Sequence, residues 1–270
     1  MNKIKWNFKA NNKSLVCALT LLFSAAPAFA VMDNFIVLPK TVFGTPWQPV
    51  ISLGAGAAFT DNLGSNNYFP VVNPDTDSFY YYQPNQSSTG AGLFDVFLGG
   101  EFTLTNEIAV QAGLGYDVAT SYNVNGRLTQ GADAPSENVY SYHYQVFNQQ
   151  LQAEGKLMYK FREIYHPYAL LGLGAAFNSS YGFTTSVPPF LTLTRDFKNH
   201  LETAFTYTVG LGIDVDVAEN IRLGLGYRFA DLCNVNLGHS TVNTTSVAGS
   251  INQSHLYLNQ VLAQVTYHGF

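Results

Sequence analysis

The stretch that decides the fold of this chain is FTYTVGLGIDVDV, residues 205–217. Its odd-numbered positions hold apolar side chains, and the positions between them hold threonine, glycine or aspartate. A period of two over this length predicts a β-strand, because successive side chains of a strand point to opposite faces of the sheet. The same alternation recurs at residues 108–117 and 221–229, so the chain is predicted to be all-β.

Weaker copies of the alternation complete a set of eight strands. They are predicted over residues 49–60, 91–104, 107–120, 143–161, 167–179, 203–217, 220–232 and 255–270. Short turns are expected near residues 105–106, 162–165 and 218–219. Long polar loops are expected at 61–90, 121–142, 180–202 and 233–254. Short turns that alternate with long loops are typical of an eight-stranded antiparallel up-and-down transmembrane β-barrel, which leaves no strand edge unpaired in lipid.

The composition agrees with strands that face lipid. Charged residues make up 11% of the chain and aromatic residues 14%, whereas a soluble domain carries about 25% charged residues. Yet no run of 18 uncharged apolar residues occurs in residues 31–270. An alternating strand explains both facts, because only every second residue of such a strand must be apolar.

The first 30 residues predict export. Four lysines precede an apolar core at residues 15–26, and Ala28-Phe29-Ala30 follows it. This is the pattern of a secretory signal peptide, and we expect cleavage after Ala30. Residues 31–48 are then expected to form a periplasmic lead-in, and residues 49–270 the barrel, in a bacterial outer membrane.

The charge balance and the spacing of cysteine, histidine and glycine argue against nucleic-acid, metal and cofactor binding. Without residues 1–30 the chain keeps nine basic and 18 acidic residues, a formal charge of −9 that argues against nucleic acid as a partner. Only Cys233 then remains, and it is interpreted as a small residue near a strand end. The histidines are scattered, and the repeated Gly-x-Gly pairs lack the third glycine of a phosphate loop, so neither a metal nor a cofactor is expected.

The alternation places ten charged residues on the inward face of the predicted barrel. They are Asp95, Glu101, Asp117, Glu154, Lys156, Lys160, Asp214, Asp216, Arg222 and Arg228. An eight-stranded barrel has an interior just wide enough for side chains to fill, and charges there must pair or be hydrated. We therefore expect a salt-bridge network that plugs the lumen; a polar path for small solutes or ions is the alternative.

The turn positions also predict strand register. The sixth and seventh strands should place Asp216 opposite Arg222, and the second and third strands should place Glu101 opposite Gln111. These registers keep inward residues opposite inward residues, as a two-faced sheet requires.

Aromatic residues cluster near both ends of the predicted strands, which indicates two interfacial girdles. Toward the short turns these are Phe102, Tyr159, Phe161, Tyr165, Tyr267 and Phe270; toward the long loops they are Phe59, Tyr116, Tyr122, Tyr144, Phe177, Tyr181, Tyr227, Phe229 and Tyr257.

One short motif could support catalysis. His239 and Ser240 lie in the last long loop, with Asp231 nearby. A nucleophile and its base must approach within hydrogen-bond reach, and adjacent residues in a loop do not establish that. We therefore predict that the protein is not an enzyme, with a lipid-modifying enzyme as a minor alternative.

The chain resembles the small eight-stranded outer-membrane barrels, a superfamily that includes the OmpA transmembrane domain, the OmpW type and the opacity-like surface proteins. The resemblance covers residues 49–270 and is clearest at residues 167–174, 210–215 and 222–229. It implies the architecture and leaves the activity open. Such barrels tend to end on an aromatic residue, and Tyr267 and Phe270 are the expected signal for the barrel assembly machinery.

By analogy with that fold, the leading hypothesis is a non-enzymatic structural or surface-interaction protein of the adhesin type. Such a protein would be a porin-like surface antigen. The alternative is an OmpW-like narrow channel for small or hydrophobic molecules. The expected partners are outer-membrane lipids and lipopolysaccharide, the barrel assembly machinery, and host or surface ligands that contact the long loops.

Overall fold

The computed structural model describes residues 41–42, 45–73, 76–85, 89–132, 138–162, 164–188, 195–242 and 245–269. The predicted signal peptide, most of the predicted lead-in and Phe270 lie outside these residues. Within them, no helix is long and apolar enough to cross a membrane.

The regular elements of the described residues are sixteen β-strands. They are β1 (Thr41–Val42), β2 (Thr45–Thr60), β3 (Asn67–Asn73), β4 (Thr76–Pro84), β5 (Thr89–Thr103), β6 (Ile108–Ala132), β7 (Asn138–Tyr159), β8 (Tyr165–Thr185), β9 (Asp196–Phe197), β10 (His200–Ala218), β11 (Ile221–Asp231), β12 (Val235–Asn236), β13 (Ser240–Val242), β14 (Thr245–Val247), β15 (Asn252–Gln253) and β16 (Tyr257–His268).

Eight long strands close into a ring. Strands β5, β6, β7, β8, β10, β11 and β16 pair in succession with antiparallel neighbours, and β2 pairs with both β5 and β16. This closure confirms the predicted fold, an all-β, eight-stranded antiparallel up-and-down transmembrane β-barrel. The barrel wall begins with β2 at Thr45, four residues before the predicted boundary.

Both predicted registers are confirmed. Asp216 pairs with Arg222 between β10 and β11, and Glu101 pairs with Gln111 between β5 and β6. Because the side-chain period of a strand is two, these registers place the predicted inward charges of the four strands on the inner face.

The two faces of the barrel wall have opposite chemistry. The outer face exposes large apolar side chains, among them Phe94, Leu98, Leu114, Leu151, Leu157, Leu171, Leu173, Val209, Leu211, Ile213, Leu225 and Val261. The inner face buries charged and amide side chains. An apolar outside around a polar inside is the arrangement of a barrel that lipid surrounds.

The barrel has two unlike ends. At one, which we call the turn end, β5 joins β6, and β10 joins β11 through the two-residue turn Glu219-Asn220. At the opposite, loop end, strands β6, β7 and β8 continue well beyond the ring. The short turns predicted near residues 105–106 and 218–219 are thus confirmed. The third, predicted at 162–165, includes residue 163, which lies outside the described residues.

The predicted long loops are largely wrong, because the chain folds into further sheet there. Strand β6 runs on to Ala132 after a register shift between Ala119 and Tyr122, and β4 replaces β5 as its neighbour, with Ser78–Pro84 along Gly126–Ala132. Strand β3 pairs with β4 at the edge. We call this loop-end structure the cap: the described residues within 61–85, 121–147, 179–199 and 232–256.

Candidate functional site

The candidate functional site has two parts, the charged lumen of the barrel and the cap above it. Nearest the turn end, Arg222 joins two strands across the lumen. Its Nη1 donates to Glu101 Oε2 at 2.8 Å, and its Nε donates to Asp216 Oδ1 at 2.8 Å. His166 Nε2 lies 2.7 Å from the other oxygen of Asp216. Gln111 also donates to Glu101, so both partners of the guanidinium are held in place.

The next pair is Lys156 and Asp214, on β7 and β10. Lys156 Nζ donates to Asp214 Oδ2 at 2.6 Å and lies 3.9 Å from the centre of the Tyr168 ring. Both charged side chains are buried. A buried ammonium group needs such close partners, because removing it from water is costly.

In the middle of the lumen, one guanidinium faces three carboxylates. Arg228 Nη1 lies 3.3 Å from Asp95 Oδ2 and 3.6 Å from Asp117 Oδ1. Carboxylate oxygens of Asp95, Asp117 and Glu154 all lie within 4.8 Å of one another. Gln264 donates to the second oxygen of Asp95 at 2.8 Å. Acidic side chains therefore outnumber basic ones at this level of the barrel.

Glycine on the inner face makes room for these side chains. A β-carbon at Gly115 would lie 2.1 Å from Glu154 Oε1, and one at Gly224 would lie 2.3 Å from Asp214 Oδ1. Each carboxylate thus lies flat across the neighbouring strand, where any larger residue would displace it.

Nine of the ten predicted inward charges lie in this network, and Lys160 is the exception. Asp95, Glu101, Asp117, Glu154, Lys156, Asp214, Asp216, Arg222 and Arg228 all make or adjoin the contacts above. Lys160 is half-buried beyond the end of β7, and its backbone N–H donates to Glu107 O. Within the described residues it joins none of the ion pairs.

Sequence reasoning missed three inward partners. His166 and Tyr168 begin β8, where the proline between them obscures the alternation, and Gln264 is uncharged. The alternation itself marks all three as inward. Tyr267, the predicted assembly residue, is buried on β16 and pairs with Ile221 and Ile51.

Side chains fill the lumen from the ion pairs up to the cap. A cavity among Glu154, Lys156 and Arg228 measures about 10 Å³, hardly the room that one water molecule needs. Above it, Gln152 donates to Gln150 and to Thr208, and Asn178 donates to backbone carbonyls of the segment after β11.

An apolar core closes the loop end. Tyr82 lies at its centre, fully buried, with ring centroids of Tyr142 and Phe197 each 5.4 Å away in edge-on contact. Burial raises the pKa of the Tyr82 hydroxyl. Tyr122 and Tyr144 belong to this core as well, so their assignment to an interfacial girdle is wrong.

The outer face of the cap carries a hollow of about 310 Å³ with neutral polar walls. It lies where β6, β7 and β8 pass one another, at a register shift between His143 and Gln145. Asn125, His143 and Thr184 line it, together with Asn85 and Ser186. His143 Nδ1 is 3.0 Å from Asn125 Oδ1, which fixes the ring against the amide.

The candidate catalytic residues of the last loop separate in the structure. Ser240 is fully buried, and its hydroxyl accepts from Arg195 Nη1 at 3.1 Å and donates to Gly249 O at 3.2 Å. Asp231 lies beside His255 instead of His239. The hydroxyl therefore has a structural role, tying Arg195 to the loop.

No protein-family model and no curated protein matches the chain. Among solved structures, it is similar to Neisserial surface protein A, with 13% identity and a TM-score of 0.40, to the outer membrane protein OprG from Pseudomonas aeruginosa, with 11% and 0.44, and to the outer membrane protease OmpT from Escherichia coli, with 11% and 0.43. Each alignment covers 82% of this chain and 96% of the other.

One of the three is a protease, so the likeness by itself does not separate enzymes from other barrels.

Proposed function

We propose that this protein is a non-enzymatic barrel of the bacterial outer membrane that acts through its cap, as a structural and surface-interaction protein of the adhesin type. The observation that carries the proposal is the contrast between lumen and cap. Ion pairs span the lumen and leave a cavity of about 10 Å³, whereas the cap bears an open hollow of about 310 Å³. Pockets that bind small ligands measure about 300–1,000 Å³.

The proposed orientation follows from the two unlike ends. Long segments of such barrels lie outside the cell and short turns lie in the periplasm, which puts the cap on the outer surface. Residues 1–30 would direct export and be cleaved after Ala30, the part of the predicted lead-in that precedes β2 would lie in the periplasm, and Tyr267 and Phe270 would engage the barrel assembly machinery. Outer-membrane lipids and lipopolysaccharide would then surround the apolar band.

The chemistry of the hollow suggests the kind of surface ligand it takes. Its walls offer amides, hydroxyls and one imidazole, with no carboxylate among the residues that line it. Such walls donate and accept hydrogen bonds without a net charge, which suits a hydroxyl-rich ligand such as a glycan.

Binding to an array of immobilised host and bacterial glycans tests the cap. We expect the purified protein to bind a subset of the glycans, and Asn125→Ala together with Thr184→Ala to weaken that binding at least tenfold. Thr129→Ala, on the same strand outside the hollow, is the matched control and should bind as the wild type does. Absence of binding by the wild type, or equal binding by all three proteins, would contradict this role.

Conductance across a planar bilayer distinguishes a structural barrel with a filled lumen from a channel. We expect the folded wild-type protein to be silent, because charged pairs span its lumen. Steady wild-type openings that change in Arg228→Ala would instead favour an OmpW-like narrow channel for small or hydrophobic molecules.

The lipid composition of cells that express the protein tests the absence of enzymatic activity. We expect lipid A and phospholipid profiles identical to those of cells with an empty vector. A new lipid species would favour the lipid-modifying alternative.

A further inference from the structure

Three different metal-ligating side chains meet at the loop-end rim of the barrel. They are Asp231, the last residue of β11, Cys233, two residues later, and His255, just before β16. One carboxylate oxygen, the thiol sulfur and one imidazole nitrogen lie within 4.8 Å of one another. Asp231 is buried, Cys233 is partly exposed, and the side chain of His255 is 52% exposed. The group is therefore anchored on one side and open to solvent on the other.

The local backbone fixes this arrangement. Asp231 pairs with Tyr257 across β11 and β16, and its Oδ1 accepts the backbone N–H of Cys233 at 2.8 Å. Cys233 adopts a φ of 49°, a left-handed conformation that residues with a β-carbon rarely take. Its carbonyl accepts from Leu256 N at 3.2 Å, so the strained residue is held on both sides.

The imidazole is held at a distance that suits a shared ion. His255 Nδ1 lies 2.9 Å from Asp231 Oδ2, and the ring stacks on Tyr257 with 5.7 Å between centroids. Zinc binds nitrogen and oxygen at about 2.0–2.2 Å, so two ligands of one ion stand about 3 Å apart. An ion can thus replace the proton between these two atoms with little movement of either.

A reactive thiol is the competing interpretation of Cys233. A nucleophilic cysteine needs a lowered pKa, whereas burial and the neighbouring Asp231 carboxylate raise the pKa of the Cys233 thiol. This disfavours the reactive-thiol interpretation.

We propose that Asp231, Cys233 and His255 bind one divalent transition-metal ion of the zinc type at the loop-end rim of the barrel. Thiolate, imidazole and carboxylate together select Zn²⁺ or Co²⁺ over Mg²⁺ and Ca²⁺, which prefer oxygen ligands alone. Three protein ligands leave the fourth tetrahedral position open to water or an external ligand. The site is separate from both the lumen charges and the hollow.

Titration with Co²⁺ tests the site in protein purified from outer membranes. We expect one Co²⁺ per chain, with a thiolate-to-cobalt charge-transfer band and the visible bands of a tetrahedral ion, and we expect Zn²⁺ to abolish both. Cys233→Ser should remove the charge-transfer band, and His255→Ala should weaken Co²⁺ binding at least tenfold. His200→Ala is the matched control, because His200 also lies beside a carboxylate, Glu202, at 3.1 Å; its spectrum should equal that of the wild type.

A second measurement needs no variant and so does not depend on the variants folding. Zn²⁺ should slow the alkylation of wild-type Cys233 by a maleimide at least tenfold, whereas Mg²⁺ should leave the rate unchanged. Equal alkylation rates with and without Zn²⁺, or a charge-transfer band that persists in Cys233→Ser, would overturn the proposal.

Discussion

At the scale of one residue, Arg228 shows how buried charges of the lumen depend on a single partner. Its guanidinium is fully buried and is the cation shared by Asp95 and Asp117. Burying a charge without partners costs several kcal/mol, and here each partner depends on the same side chain. Removing the cation would therefore leave at least two buried carboxylates without their counter-charge.

We expect Arg228→Ala to lower the free energy of unfolding by about 3–5 kcal/mol, the cost of breaking a buried ion pair. Urea unfolding in lipid vesicles measures it, with fluorescence of Trp47, the single tryptophan of residues 31–270, as the signal. The exposed Arg127 is the matched control, and Arg127→Ala should change stability by less than about 0.5 kcal/mol. Equal midpoints for the two variants would contradict the structural role of Arg228.

For Glu154 we predict the opposite effect: a substitution there should increase the stability of the barrel. Its Oε1 has no hydrogen-bond partner among the described residues, and it adjoins two other carboxylates. We expect Glu154→Gln to raise the free energy of unfolding by about 1 kcal/mol, because it removes one of three crowded carboxyl groups and adds a donor. Asp214→Asn, which deprives Lys156 of its counter-charge, should lower the unfolding midpoint in the same urea titration. A loss of stability in both variants would mean that the lumen is not overloaded with acid.

At the scale of elements, strand β6 shows that one strand can belong partly to the barrel wall and partly to the cap. Strand β6 faces lipid over its first half and then enters the cap after a register shift between Ala119 and Tyr122. Such irregularities bend a strand and increase its twist, which turns the second half of β6 toward the apolar core around Tyr82.

We expect Tyr82→Ala to destabilise the cap by about 3–5 kcal/mol, the cost of emptying a large aromatic site in a core. The barrel below should stay intact, because its ion pairs do not involve Tyr82. Limited proteolysis of intact cells should then cleave between residues 61 and 90, while the remaining barrel still migrates as a folded species in unheated gels. Tyr68→Ala, at a ring that is 60% exposed, should leave the cleavage rate unchanged.

The alternation predicted the eight barrel strands and their register because lipid imposes a strict two-residue period on the chain. It did not predict the cap, although Tyr122, Val124 and Leu128 alternate with asparagine and arginine in the same way. Those strands extend beyond the length that crosses a membrane, and polar residues at every second position resemble a loop. The nine networked charges could be predicted as inward, and the register predicted the neighbours Asp216–Arg222 and Glu101–Gln111. The pairs that cross the lumen, such as Arg228 with Asp95, depend on distances that no local pattern contains.

At the scale of the whole molecule, the first and last barrel strands must meet. Ser52 on β2 and Thr266 on β16 do so inside the wall, with their hydroxyl oxygens 2.7 Å apart although 214 residues separate them in the chain. That contact is close enough for a disulfide in place of the two hydroxyls.

We expect Ser52→Cys with Thr266→Cys, in a Cys233→Ser background, to form an intramolecular disulfide under oxidation. The cross-linked chain should migrate faster than its reduced form in heated gels, because a loop that spans most of the chain is closed. Ser52→Cys with Thr208→Cys, on β10 across the ring, should stay reduced. Equal cross-linking of both pairs would contradict the closure of the ring between β2 and β16.

The cap also limits how its own exposed surface can change over generations. Every second residue of residues 122–130 packs inward, so one inserted or deleted residue would reverse the two faces of the strand. Substitutions at Asn123, Asn125 and Arg127 change side chains on the exposed face and leave the inward face of the strand as it is. A lineage under pressure to escape recognition would therefore vary the identity of alternate residues here while keeping their number.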